Sequence, residues 1–398
     1  MVGCFVLGYE IIMKNSDPIA ILQNLVRCPS ITPDDAGVLS SLESVLEPAG
    51  FTCTRLPFSA PDTPDVDNLF ARIGNDGPHL CFAGHVDVVP TGDEALWTYP
   101  PFEAVIEDGI MYGRGTSDMK GSVAAFAAAA VDYAHSKDGR IPGSISFLIT
   151  GDEEGPAING TTKVLDWMKE NNQVPDECLV GEPTSANVFG DGIKIGRRGS
   201  ITFYVTVKGV QGHAAYPHLS KNPIPILARL IDQLCSKPLD AGTAQFGPST
   251  LAVSTFDVGN PASNVTPERA KAVFNIRFNT EHSAESLIAL VQKHCDDVQA
   301  ELGGEIEVSH VVGAQCFLSN PGPLLSTLQS ALEKETGKQG ETNTAGGTSD
   351  ARFIKNFCPV IEFGPLNKTI HQVDENIIVA DLEALTRVYR DVIENYFK

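Results

Sequence analysis

The chain has 398 residues, too many for one ordinary hydrophobic core, so two domains are expected. With 42% apolar and 20% charged residues it has the composition of a globular protein, not of a disordered or fibrous one. Its 50 acidic and 29 basic residues leave a net charge of −21, which argues against a nucleic-acid backbone or an anionic membrane surface as partner.

The leader MVGCFVLGYEIIMK contains a short apolar run, but no basic residue precedes it and Glu10 interrupts it. It therefore reads as neither a signal peptide nor a membrane span. Patterned sequence begins only near Asp17, which leaves Met1 and Met13 both as candidate start residues. Helices are expected near Asp17–Arg27, Gly37–Ala49 and Lys120–Ala134, and strands near Asn68–Ile73, Leu80–Gly84, Ser144–Thr150 and Cys178–Gly181. That alternation is the rhythm of an α/β sheet flanked by helices.

Near Arg198 the pattern changes. Ile201, Phe203, Val205 and Val207 alternate with Thr202, Tyr204 and Thr206, giving a strand with one buried face. An apolar helix follows over Pro223–Leu234, then strands near Leu251–Phe256 and Lys271–Phe278. An amphipathic helix with Leu287, Val291, Val298 and Leu302 on one stripe leads to a strand near Glu305–His310. The order βαββαβ is that of a ferredoxin-like unit. The α/β style then resumes with a helix after Pro323, a strand at Pro359–Phe363 and a closing helix from Asp381. The expected division is a discontinuous domain over residues 1–198 and 310–398, with residues 199–309 inserted into it. Nine cysteines without a CxxC pair read as reduced thiols of a cytoplasmic protein.

Metal ligands in an α/β domain belong at strand ends, where loops from distant parts of the chain converge. CFAGHVDVVP ends a strand with His85 and Asp87, RGTSDMKG puts Asp118 directly before a helix, LITGDEEG supplies Glu153 and Glu154, and CLVGEPT supplies Glu182. Far downstream, LNKTIHQVDE offers His371. Taken singly, each has an ordinary structural explanation: a hydrogen-bonded histidine, a helix N-cap, an acidic turn. Their coincidence at strand termini points instead to a metal centre. Mixed histidine and carboxylate donors favour zinc over calcium or magnesium, and two histidines with three carboxylates suit a pair of ions sharing a bridging carboxylate. One of two adjacent glutamates could then face metal while the other serves as base.

At these residues the sequence resembles the M20 family of dinuclear zinc hydrolases, and within it the branch that removes succinyl groups from diaminopimelate. GHVDVVP, YGRGTSDMKG, TGDEEG and GEPT carry the family likeness. RRGS, GVQGHAAYPH, SNVTP, NIRFN, GGTSDARF and EFGPLNKTIH follow in order, and RRGS, GGTSDARF and EFGPLN point to that branch. The resemblance implies a zinc-hydrolase domain with a mixed sheet, an inserted dimerisation or lid domain, and two Zn2+ per subunit, or Co2+ in one of the sites. It implies that His85 and Glu182 hold one ion, Glu154 and His371 the other, and that Asp118 bridges them. It also implies a cis peptide after Asp118, Asp87 as the group that orients the His85 imidazole, and Glu153 as general base.

The reaction implied is hydrolysis of N-succinyl-L,L-2,6-diaminopimelate in bacterial lysine and diaminopimelate biosynthesis. Glu153 would take the proton of the attacking water and return it to the departing amine. His213 would stabilise the oxyanion from the partner subunit of a homodimer. A small substrate rich in carboxylates needs fixed donors, and Arg197, Ser200, Asn264, Arg277, Gly347 and Thr348 fill that need by their places in the matching phrases. Arg277 alternates with Phe274, Ile276 and Phe278, so it projects from the opposite face of its strand. Ala351 departs from the glycine usual in GGTSDARF. Rival readings are another deacylase of the same family, acting on N-acetylornithine or acylated amino acids, and a non-catalytic metal- or peptide-binding scaffold.

Overall fold

The structure is a computed structural model and describes residues 16–398. The leader, with its signal-peptide and start-site readings, lies outside the described residues. The chain divides into two compact units, one comprising the chain up to Ile195 with Ser319–Asn343 and Ser349–Lys398, the other Gly196–Leu318 with Thr344–Thr348.

The first unit is built on an eight-stranded mixed sheet. Its order is Thr52–Phe58, Val66–Ile73, Ser144–Thr150, His79–His85, Glu177–Val180, Val360–Glu362, Gly192–Lys194, Glu341–Asn343. The four strands from Ser144–Thr150 to Val360–Glu362 run parallel, so their carboxyl ends share one edge. Every residue of Ser144–Thr150 and of His79–His85 is buried, as expected of strands covered on both faces. The helix Lys120–Ser136 is buried nearly all round, and its alanines allow close packing. Phe126 stacks on Phe82 with ring centroids 4.4 Å apart and meets Phe147 and Tyr389 edge to face.

Several elements escaped the sequence reading. Thr52–Phe58 contains Pro57 and Arg55 and has little apolar character, which an edge strand tolerates. The helix Thr161–Glu170 buries only Thr161, Val164, Leu165 and Met168. Short strands at Val105–Glu107, Ile110–Tyr112 and Asn376–Ile378 form a three-stranded sheet whose members are too brief for a periodic signal.

The second unit holds a four-stranded antiparallel sheet in the order Thr250–Asp257, Arg269–Phe278, Gly199–Lys208, Glu305–Ala314. Helices Pro223–Cys235 and Ala284–Leu302 contribute Leu227, Leu230, Leu287 and Val291 to its core, against Phe203, Val205, Phe274 and Ile276. The unit is wider than the expected 199–309. Its last long strand runs to Ala314, and Phe317–Leu318 pairs with Gly196–Arg197, too short a pair to show as alternation.

His79 opens its strand as a buried group, with Nε2 2.7 Å from Ser146 Oγ. Burial, with the nearby Arg72 charge, lowers its pKa from 6.5 to about 4. The unfolded chain therefore binds a proton that the native state refuses, and this contribution to stability is present above pH 6.5 and lost on acidification. We expect unfolding free energy, followed by urea denaturation, to fall between pH 6.5 and 4, and His79→Gln to flatten that slope.

Candidate metal centre

The shared carboxyl edge of the parallel strands gathers the predicted ligands. His85 is the last residue of its strand, Glu153 and Glu154 follow Ser144–Thr150, and Glu182 follows Glu177–Val180. His85 Nε2 lies 3.2 Å from Asp118 Oδ1. His371 Nε2 lies 3.3 Å from the other oxygen, Asp118 Oδ2, and 2.7 Å from Glu154 Oε1. One carboxylate thus presents one oxygen to each of two imidazoles. The ligand atoms of His85, Asp118 and Glu154 lie within 4.8 Å of one another, as do those of His85, Glu153 and Glu182. The Asp118–Met119 peptide is cis, and His371 has a left-handed backbone with φ 60°. Such a conformation in a histidine is strained, and strain of this kind gathers at functional sites.

Two details depart from the sequence reading. His85 Nδ1 is 2.9 Å from the backbone carbonyl oxygen of Asp87 and 3.6 Å from its carboxylate, so the carbonyl is the closer acceptor. The Asp87 carboxylate instead accepts hydrogen bonds from the backbone N–H groups of Glu153 and Glu154, at 3.3 and 3.0 Å. It anchors the turn carrying both glutamates, because a loop at a strand end has free N–H groups that a buried carboxylate satisfies. Glu153, for its part, stands among groups able to hold an ion and not apart from them.

Burial opposes charging of His85, but its hydrogen bond to Asp118 and the charges of Asp87, Asp118 and Glu153 hold its pKa well above the ordinary range. Hydrogen bonds to Asp118 and Glu154 raise His371 to about 10. Burial works against the Asp118 carboxylate, yet the two imidazoles pull its pKa below the usual range. Burial pushes Asp87 up to about 6. It pushes Glu153 up to about 8 against the pull of His85, with Asp350, Glu154 and Asp118 adding like charge. A buried, carboxylate-rich cluster with two imidazoles fits divalent cations, which would replace the imidazolium protons and favour ionised glutamates.

Asp350 is a group that sequence reasoning missed, although it lies in the quoted phrase GGTSDARF. It is buried, accepts a 2.5 Å hydrogen bond from Thr161 Oγ1, and contributes to raising the Glu153 pKa.

The remaining predicted residues all belong to the second unit. Ser200 and Arg277 are cross-strand partners and so share one face of the sheet. Arg197 is buried and donates from Nη1 to Gly347 O at 3.0 Å. The two-residue strands Gly212–His213 and Val265–Thr266 bring His213 beside Asn264, whose carbonyl accepts from Ala214 N at 2.9 Å. His213 and Asn264 are exposed, as is Gly347; Thr348 is half-buried.

A mixed α/β sheet whose parallel strand ends gather imidazoles and carboxylates is the frame of a candidate metal centre, and the likenesses that follow make that of a metal-dependent hydrolase. The sequence pattern described as Peptidase family M20/M25/M40 matches residues 81–395, and the chain belongs to that family. A succinyl-diaminopimelate desuccinylase of Rhodospirillum centenum is 56% identical over 381 residues, covering 96% of this chain and 97% of its own length. One from Nitrobacter hamburgensis is 52% identical over 386 residues, covering 96% and 99%. Among solved structures, an aminopeptidase of Bacillus cereus is similar in fold, with a TM-score of 0.79 at 21% identity, covering 96% of this chain and 99% of that one. A Bacillus subtilis protein described as a dinuclear metal-binding peptidase of the M20 family has a TM-score of 0.70 at 15% identity, covering 96% and 98%.

Asp87→Asn would turn an amide N–H2 toward one of the two backbone N–H donors and so loosen the glutamate turn. The expected result is a loss of turnover of roughly 10–100-fold with the fold retained, measured by steady-state kinetics beside far-ultraviolet circular dichroism.

Proposed function

We propose that this chain hydrolyses N-succinyl-L,L-2,6-diaminopimelate to succinate and L,L-diaminopimelate, a step of bacterial lysine and diaminopimelate biosynthesis. The observation that carries this reading is near full-length identity above one half with a desuccinylase of that name. The strand-end cluster supplies the groups such a reaction needs.

In this reading His85 and Glu182 would hold one Zn2+ and Glu154 and His371 a second, Asp118 would be shared by both, and Co2+ could substitute in one site. The two-sided contact of Asp118 with both imidazoles supports it. Bound divalent ions supply Lewis acidity, which makes water a nucleophile near neutral pH and stabilises charge on the attacked carbonyl oxygen. Glu153 removes the water proton, the water oxygen adds to the amide carbonyl carbon, the C–N bond breaks, and Glu153 hands the proton to the leaving amine, leaving succinate as the carboxylate. Asp87 keeps Glu153 in place through the backbone bond already described. His213 donates a hydrogen bond to the developing oxyanion from a second copy of the chain. Arg197, Arg277, Ser200, Asn264, Gly347 and Thr348 hold the substrate carboxylates.

The strand order of the second unit supports reading it as a ferredoxin-like dimerisation module. Its edge strand Thr250–Asp257 is exposed along nearly its whole length, and Val253 and Phe256 lie open on it. Unpaired edges of this kind invite pairing with another chain. Cys28, Cys53, Cys81, Cys178, Cys235, Cys295 and Cys358 are free thiols, which supports a cytoplasmic setting. Among the described residues no helix is long and apolar enough to cross a membrane.

With Zn2+ present, turnover of N-succinyl-L,L-diaminopimelate should exceed that of N-acetylornithine by orders of magnitude; preference for the acetyl substrate would refute the assignment. Glu153→Gln should lower kcat by roughly 100–10,000-fold, the usual span of general base catalysis, with Zn2+ content unchanged. A dimer that forms through the exposed edge should dissociate in Phe256→Lys, as read by sedimentation velocity; an unaltered sedimentation coefficient would exclude that edge as the interface.

A further inference from the structure

The loop that presents Asp118 has little regular structure of its own, and one buried carboxylate, Glu375, accepts four of the hydrogen bonds that fix it. Glu375 is 0% exposed. Its Oε1 accepts from the backbone N–H groups of Ser117 and Asp118, both at 3.0 Å. Its Oε2 accepts from Gly115 N at 3.1 Å and from Arg114 Nη1 at 2.8 Å. Four donors thus occupy the acceptor capacity of one carboxylate. The backbone continues the clamp, since Gly113 N donates to Glu375 O at 2.8 Å.

Glu375 also stands four residues beyond His371, in a segment closed on itself. Asn376 N donates to Thr369 Oγ1, and Thr369 Oγ1 donates to Asn376 O, both at 3.2 Å. Arg114 Nη1 reaches Gln372 O at 3.1 Å, and Ser117 Oγ reaches Leu366 O at 2.6 Å. The loop of Asp118 and the loop of His371 are therefore tied together by bonds that do not involve the side chains of Asp118 and His371.

We infer that Glu375 is a positioning residue, which locks the Asp118 loop to the His371 segment so that the bridging carboxylate and the distant imidazole meet one metal centre in fixed register. No other residue type does this equally well. Glutamine would offer one acceptor oxygen and turn its N–H2 toward two of the four donors, while aspartate would withdraw the carboxylate by one methylene. The inference rests on the metal-centre reading given under the proposed function.

The test titrates Zn2+ calorimetrically into metal-free full-length protein, wild type beside Glu375→Gln, and follows amide hydrogen exchange by mass spectrometry. The expected result is Zn2+ affinity weakened by roughly 10–100-fold, with exchange protection lost over residues 113–119 and kept in His79–His85 and Ser144–Thr150. Equal affinity, or protection lost equally from the core strands, overturns the positioning role. Should the glutamine variant not fold, Glu375→Asp, which keeps the charge, is measured in the same way; it should also bind Zn2+ more weakly, and wild-type affinity would overturn the proposal. Wild-type protein that takes up no Zn2+ would refute the metal-centre reading itself.

Discussion

The rest of the first unit depends on one electrostatic constraint: several carboxylates are held together, largely out of water, at one edge of a sheet. Asp87, Asp118 and Glu182 are all at most 8% exposed, and Glu153 and Glu154 are half-buried beside them. Like charges so placed repel, and burial raises the cost. Burial opposes charging of His85, yet the neighbouring carboxylates drive its pKa upward, as they do that of His371. Divalent ions bound here would supply the same compensating positive charge.

Holding such a cluster requires a rigid frame, and the buried strands supply it. Four parallel strands end at one level, and the packing of Phe82, Phe126, Phe147 and Tyr389 fixes the sheet and the helix Lys120–Ser136 relative to each other. Tyr389 also donates to Phe363 O at 2.6 Å, so its hydroxyl is satisfied inside the core. Beyond the strand ends the backbone is irregular, and the frame is continued by buried carboxylates that accept backbone N–H groups. Asp87 does this for the turn of Glu153 and Glu154, and Asp152 does it for Ile158 and Asn159 at 2.8 Å each. Acidic residues thus serve two purposes in one neighbourhood, some standing in the cluster that could hold an ion and others accepting from the loops that carry that cluster.

That division of labour explains what was legible in the sequence. His85, Glu153, Glu154 and Glu182 could be named because strand ends are visible as breaks in apolar runs, Asp118 because it precedes a helix, and His371 only through its downstream phrase; the structure brings all six to one place. The βαββαβ order of the second unit was legible for a similar reason, since alternation in Ile201–Val207 marks one buried face. The attachments of Asp87 and Asp350 were not legible. A carboxylate that accepts a backbone N–H leaves no periodic trace, and its partner is defined by the path of the loop. The two-residue pair Gly196–Arg197 with Phe317–Leu318 was hidden for want of length, so the unit boundary fell a few residues short on each side.

The adjacency of Glu153 and Glu154 can now be given a physical reason. Side chains of neighbouring residues in an extended turn diverge, and here Glu154 meets His371 while Glu153 joins the group of His85 and Glu182. Both backbone N–H groups converge on the one Asp87 carboxylate, which holds the two glutamates to a common anchor. Under the proposed roles, in which Glu153 would be the base and Glu154 would hold an ion, that anchor would fix the separation of base and ligand. Proton transfer falls off steeply with misplacement, and a shared anchor is the cheapest means of preventing it.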